Sequence, residues 1–496
     1  MSMLLNSFMI LCFLGVARVY ATSLTNNEDV GDGILSATPD SITSNGNTFS
    51  WADMNGDGNS NDAVNAGLNL AAYNLTRQAD GIGFKLNLND GTSDGAISWG
   101  GVSGGQLTTF RDSFNPTGPI AITGATDIAC QAIDTHNPGD GQAGAIGVTQ
   151  TGGFAATNVY TYNGNAGGAG TVTFTGGGPA AGAFNVSGTI DTHGLIAGSV
   201  IIRGYGVVTI GGGGIASYET GDGGDGKSVA ITNIGAGGVT VAGTIQNRDT
   251  GGSSGGTQPN NVKIVSDGNI SVADIDTHTG NSLGGAWVVH NSGAITLTAG
   301  GSVVAGTLKT YMIGSDATYS RNAGAVTVTA GGAVQLESLD THNVQNNSSR
   351  YAGDVQVTAG GDIVITGTNL DLSSPYGGDR RGSLWLGNAG SGGTVTLGVS
   401  TNPGVTKLDL DKLEYIRFDS DVGQSFIYSS ITNFVTGGTN TQLRVERDGE
   451  LVYYTVKNGA NAALLATDNG VYPIQSLEGG LGYLKPIPSG TFMTIR

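Results

Sequence analysis

The sequence predicts an all-β fold: a parallel β-helix (β-solenoid) of about ten coils with N- and C-terminal caps. Three observations carry this. Glycine accounts for 87 of 496 residues, well above the usual share of about 7%. Short runs of alternating apolar and polar residues recur, each closed by glycines. A motif led by an aliphatic residue, Asp-Thr-His in its fullest form, returns at a near-constant interval between residues 107 and 370.

The alternating runs are the strand signal. Ile295-Thr-Leu-Thr-Ala-Gly-Gly301, Val326-Thr-Val-Thr-Ala-Gly-Gly332 and Val355-Gln-Val-Thr-Ala-Gly-Gly361 are near copies. Val172-Thr-Phe-Thr-Gly-Gly177 and Val395-Thr-Leu-Gly398 are weaker ones. Period-2 alternation marks strands with one buried face, and the glycines suit tight corners. The second motif begins at 107, 133, 159, 190, 215, 245, 275, 308, 339 and 370. Its spacing varies, so insertions are expected in the loop that follows it. Connections this short and glycine-rich leave no room for crossover helices. A unit that cannot bury its own apolar face must stack on copies of itself, which places Val326, Val328 and Leu339 in the bore.

Two ladders follow from the alignment. Two residues after each aliphatic position comes an inward series: Thr109, Thr135, Thr161, Thr192, Ser217, Asn247, Thr277, Thr310 and Thr341. One residue further on comes an outward series: Phe110, His136, Tyr162, His193, Tyr218, Arg248, His278, Tyr311 and His342. Coils are about 4.8 Å apart, so these histidines stand roughly 10 Å from one another with a tyrosine between. Zinc needs every ligand nitrogen within about 2.1 Å of one ion, so the ladder is not a metal site. Stacking of planar side chains, which fixes register, is the expected role. The rival reading is an aromatic stripe that binds surface glycans.

In chain order, residues 1–21 read as an export signal. Phe8–Ala17 is mostly apolar, and Val19-Tyr20-Ala21 has small residues at cleavage spacing. Met1–Ser7 lacks Lys and Arg, and bulky Leu11 before Cys12 disfavours a lipoprotein. No later apolar run reaches the roughly 18–20 residues of a transmembrane helix. Cys130 is then left without a partner for a disulfide. Segment 22–100 is expected to cap one end. Within it, Asp53, Asn55 and Asp57 alternate before Gly58, and Asn61 or Asp62 closes the set. Hard oxygens at this spacing suit calcium, although position twelve is Val64. Val64, Leu68, Ala71, Ala72 and Leu75 then have the spacing of a short helix. This loop and helix resemble one half of a dockerin-type module without its second half. Residues 101–400 form the solenoid. Residues 401–496, where glycine falls, form a terminal β cap covering the open strand edges.

Composition narrows function. The formal net charge is −18, and only 21 Lys and Arg are spread along the chain, which argues against nucleic acid. Catalysis on a β-helix needs a single unrepeated cluster of carboxylates, or a basic residue beside calcium. Asp134, Asp191, Asp276 and Asp340 instead recur from coil to coil. No P-loop, nucleophile elbow or zinc-protease motif occurs, so the chain is not expected to be an enzyme. Arg380-Arg381 reads as a solvated loop.

Residues 100 to about 400 resemble the repetitive passengers of bacterial surface proteins, in their Val-Thr-Val-Thr-Ala-Gly-Gly and Gly-Thr-Ile-Asp-Thr texture. The families are filamentous-haemagglutinin-like adhesins and autotransporter passengers. The resemblance implies a secreted or cell-surface protein with a structural or adhesive role, partnered by surface glycans or another cell surface. The alternative is a carbohydrate-binding or polysaccharide-degrading β-helix.

Overall fold

The computed structural model describes most of residues 117–388, with breaks at 118, 126, 166, 222–226, 251–258, 281–290, 314–321, 345–350, 368–369 and 375–380. Outside that span it describes only short strands, mostly as backbone. The export signal (1–21) and the calcium loop of Asp53, Asn55, Asp57, Asn61 and Asp62 lie outside the described residues. So do the caps, apart from such strands.

Every strand pairing between residues 117 and 388 is parallel, and no helix occurs among the described residues. The chain winds as a β-solenoid with three faces. On the first face, ten strands from Ile120–Ala125 to Leu384–Asn388 follow one another in a single ladder. The near-copy runs align here residue for residue: Ile295, Val326 and Val355 are consecutive partners. Val395–Leu397 does not join them. It pairs with Ile363–Ile365 on the second face, while Leu384 follows Val355 on the first. Both faces use the same alternation, so local texture alone could not assign Val395 to its face.

The second face holds the motif column. Leu107 pairs with Ile133, then Val159, Ile190, Ile215, Ile245, Ile275, Leu308, Leu339 and Leu370 in unbroken succession. All ten side chains are buried. The third face is a run of bridges and backbone hydrogen bonds from Asn137 through Asn163, Gly194, Glu219, Asp249, Thr279 and Met312 to Asn343. The eight third-face rungs from Asn137 to Asn343 are joined by about seven turns of the solenoid. That is fewer than the ten coils expected, because its end coils run into residues outside the described set. The variable stretch lies after the motif, as expected: the path to the next first-face strand is shortest from Gly194 to Val200 and longest from Thr279 to Ile295.

One expectation is corrected upstream. Leu68–Asn69 and Leu75–Thr76 lie where a short helix was expected, but they are strands parallel to Ile97–Ser98 and Gln106–Thr108. Leu75 thereby joins the motif column one coil before Leu107. A few apolar residues in a short run fit either period, and the edge of a growing coil offers strand partners for the backbone.

Packing follows the pleat. Strands such as Val326–Ala330 bury alternate residues, so Val326 and Val328 are in the bore. Among the described residues the bore is mostly aliphatic, with one aromatic cluster that spans neighbouring coils. Phe154 lies 4.5 Å from Phe174 and 5.1 Å from Phe184, and Phe184 lies 5.2 Å from Tyr205. Tyr205 enters through a bulge: the register skips from Arg203 to Tyr205, and Gly204 takes a φ of 79° that a residue with a Cβ rarely adopts. The Tyr205 hydroxyl is buried without a hydrogen-bond partner, and burial pushes its pKa up.

Candidate functional site

The motif places three successive side chains on one short stretch of every coil. In the fullest copies, Asp holds His, Thr holds the next corner, and the His ring stacks on a tyrosine of a neighbouring coil.

The inward series is a hydrogen-bond ladder. Thr135, Thr161, Thr192, Ser217, Asn247, Thr277, Thr310 and Thr341 are fully buried. A hydroxyl in an apolar bore needs a partner, and each threonine donates to a glycine carbonyl at the corner before the next first-face strand. Thr135 reaches Gly144 at 2.5 Å, Thr161 reaches Gly170 at 2.6 Å, Thr192 reaches Gly198 at 2.7 Å and Thr277 reaches Gly293 at 2.6 Å. Thr310 and Thr341 do the same to Gly324 and Gly353. These acceptors form a glycine column that inspection of the sequence did not single out. A Cβ at Gly170 would lie 1.9 Å from Gly144 O, and one at Gly353 would lie 1.9 Å from Gly324 O. The signal was present as a glycine two residues before most first-face strands, hidden among many other glycines.

The outward series stacks. His136 lies 4.6 Å from Tyr162, Tyr162 5.2 Å from His193, and His193 4.9 Å from Tyr218. Arg248 continues the column with its guanidinium 5.1 Å from the Tyr218 ring centre. His278 lies 4.4 Å from Tyr311, which lies 4.9 Å from His342. Ring planes differ by only 3–13°.

Each histidine is fixed by the aspartate two residues earlier. Nδ1 donates to Asp134, Asp191 and Asp276 at 2.6, 2.5 and 2.6 Å in His136, His193 and His278, and His342 Nδ1 pairs likewise with Asp340. The same carboxylate oxygen accepts the histidine backbone amide, at 2.9 Å in His136. An ionised carboxylate only accepts, so the proton sits on Nδ1 and Nε2 is the other tautomeric nitrogen. Burial raises the Asp276 pKa, but the hydrogen bond and charge of His278, its amide and Arg248 outweigh this and leave it below the ordinary 3.8. Tyr311 is pushed up to about 12 by burial, then by Asp276 and Asp340.

This geometry refines the outward reading. The histidine side chains are only 9–25% exposed. Parallel rings one coil apart stack along the solenoid axis, so their faces cover one another and their edges point to solvent. A sugar packs on a ring face. Between His136 and Tyr218, and between His278 and His342, the inner faces are already taken. A tyrosine separates the histidines within each segment, and among the described residues no three His, Cys, Asp or Glu side chains converge as a metal group.

A separate cavity of about 640 Å³ crosses several coils where the Gly194–Val200 path is shortest. Ile196 and Ala197 line it together with Asp140, Gln142 and Lys227, and no ladder residue does. Cys130 is half-buried and packs against the core. No helix among the described residues is long and apolar enough to cross a membrane. Comparison of the chain with protein families, curated proteins and solved structures finds no match.

Proposed function

We propose that this chain is an exported or cell-surface β-solenoid whose role is structural and adhesive. The observation that supports this most is that the repeated polar residues are used up in bonds within each coil and in stacking between coils. Asp binds His, His stacks on Tyr, and Thr binds a glycine corner. Residues that recur from coil to coil and point into one another make a stiff rod, and a rod holds its end away from a surface. A carbohydrate-binding or polysaccharide-degrading role would have to use ring edges or the cavity near Ile196, since the ladder faces are occupied.

The test has two parts. Protease shaving and antibody labelling of intact source cells should find the full-length protein outside the membrane barrier; retention inside would refute export. A glycan array probed with the full chain should stay silent if the rod is a spacer, whereas selective binding would favour the carbohydrate reading.

A further inference from the structure

The cavity of about 640 Å³ beside Ile196 runs along the corner column on which the inward threonines close. Gly144, Gly170 and Gly198 are consecutive corners, each two residues before its first-face strand, and Lys227 takes the same place before Val229 in the next coil. A Cβ at Gly170 or Gly198 would lie 1.9 Å from the carbonyl oxygen of the corner before it, so those corners stay bare and a side chain first appears at Lys227. Its backbone is pinned from both sides. The Lys227 amide donates to Asn260 Oδ1 at 2.7 Å, and its carbonyl accepts Asn247 Nδ2 at 3.2 Å. Both asparagines are fully buried, and they stand where other coils carry the corner glycine and the inward threonine.

Asp140 and Gln142, both exposed, line one end of the cavity, and half-buried Lys227 lines the other. Three coil steps of about 4.8 Å set the ends about 14 Å apart along the axis. Unlike the ladder residues, none of these three side chains has a hydrogen bond or ion pair among the described residues. Ala143, Ala169 and Ile196 lie between them as a floor of apolar atoms. The floor's backbone is already committed: the amides of Ala143 and Ala169 donate to Gly168 O and Ile196 O, each at 2.8 Å, and that of Gly170 donates to Thr161 O at 3.0 Å. A peptide strand that binds by main-chain pairing finds no free rung there. A phosphate chain would meet one cation among the lining residues of a protein with net charge −18. A sugar suits all three features. Its apolar ring face packs on a flat apolar floor, its hydroxyls pair with a carboxylate and an amide, and one acid group matches one lysine.

We propose that this cavity binds a short oligosaccharide carrying one carboxylated sugar, with the acid group at Lys227 and hydroxyls at Gln142 and Asp140. This gives the adhesive part of the proposed role a ligand and rests on that part; the rod does not depend on it, because no ladder residue lines the cavity.

The full chain is titrated calorimetrically with sialyllactose, with its methyl ester and with lactose. Sialyllactose should bind, and the two uncharged sugars should bind about tenfold more weakly for loss of one charge-assisted hydrogen bond. Lys227→Gln should bring sialyllactose down to the level of its ester and leave the ester unchanged. Ala145→Trp puts a ring into the cavity from an exposed position on its wall and should abolish binding of all three. Both variants should melt with wild type. Should the tryptophan variant fail to fold, Asp140→Asn/Gln142→Ala takes its place and should weaken all three sugars severalfold. An acid-to-ester ratio unchanged in Lys227→Gln overturns the proposal. So does binding that survives Ala145→Trp, which would move the sugar to the ring edges of the ladder. Equal binding of tetraglutamate would replace the sugar with an acidic peptide. Silence toward every sugar overturns the cavity's role and leaves the rod as a spacer, whereas retention of the chain inside its cells refutes export and leaves the affinity measured in solution unchanged.

Discussion

Replacing Tyr311 by alanine removes two ring contacts at once. The ring lies 4.4 Å from His278 and 4.9 Å from His342, with planes 8° and 9° apart. Aromatic pairs contribute about 0.5–1.5 kcal/mol each beyond area burial, so the two stacks amount to about 1–3 kcal/mol. A single cross-strand pair, the figure available from sequence, gives about 1 kcal/mol or less. The larger value follows because a solenoid rung has a neighbour on both sides. In a quasi-one-dimensional fold the loss is local, so amide hydrogen exchange is the assay. Thr279 N donates to Tyr311 O, and Met312 N donates to His342 O; both amides flank the rung. A loss of about 2 kcal/mol should speed their exchange roughly thirtyfold, since each 1.4 kcal/mol is a factor of ten. Tyr311→Phe keeps the ring and should stay within about 0.5 kcal/mol of wild type. Alanine as benign as phenylalanine would refute the stacking argument. Loss of glycan binding with unchanged exchange would replace it with the carbohydrate reading.

Gly324→Ala would place a Cβ 2.1 Å from Gly293 O and should cost about 3 kcal/mol or more in chemical denaturation. Gly147→Ala meets nothing within 4 Å and should be neutral or slightly stabilising. Thr310→Val strands the carbonyl of Gly324 and should cost about 1–3 kcal/mol, whereas Thr310→Ser should recover most of it. Asp276 titrates below its ordinary value in the fold, so its contribution is complete above pH 3.8 and is lost as the pH falls through the depressed value. Stability should therefore hold at about pH 5 and decline only below about pH 4. Tyr311 keeps its proton to about 12, against 10.0 in the open chain, so stability present at neutral pH should decline from pH 10 towards 12. Denaturation midpoints across both ranges check the signs.

The strand alternation, the ten-residue column and the two ladders were legible because each repeats, and repetition separates signal from composition. The partners of those ladders were not. Nothing local links Thr161 to Gly170 rather than to another glycine, because the corner that joins them exists only once the coil closes. The stacking of His136 on Tyr162 was readable from spacing, but the orientation of the rings was not. Asp134 was legible only as one of a recurring series of carboxylates, while the structure shows it holding both Nδ1 and the backbone amide of His136. The third face was invisible for a different reason. Asn137, Gly194, Glu219 and Met312 share a column without sharing a chemistry, so no sequence pattern announces it.

The departures from the motif explain the motif. Every histidine of the stack, His136, His193, His278 and His342, has its aspartate two residues before it; Tyr162, Tyr218 and Tyr311 follow Tyr160, Ala216 and Lys309 instead. A phenol ring packs without a partner for a ring nitrogen, and an imidazole held in one tautomer does not. Arg248 follows Gln246, and its guanidinium is planar and permanently charged, so it too can stack without a carboxylate before it. The inward ladder varies independently and by its own rule. Each buried threonine meets a glycine corner, whereas Ser217 and Asn247 belong to coils whose corners are Lys227 and Asn260. Ser217 turns back to Gly198 O, and Asn247 uses its longer arm to reach the carbonyls of Asn261 and Lys227. Two pairings, Asp with His and Thr with Gly, thus vary separately along the same solenoid. Each polar residue follows the partner it must satisfy within its own coil or the next, which is how a solenoid fixes register when its bore is filled by interchangeable valines and isoleucines.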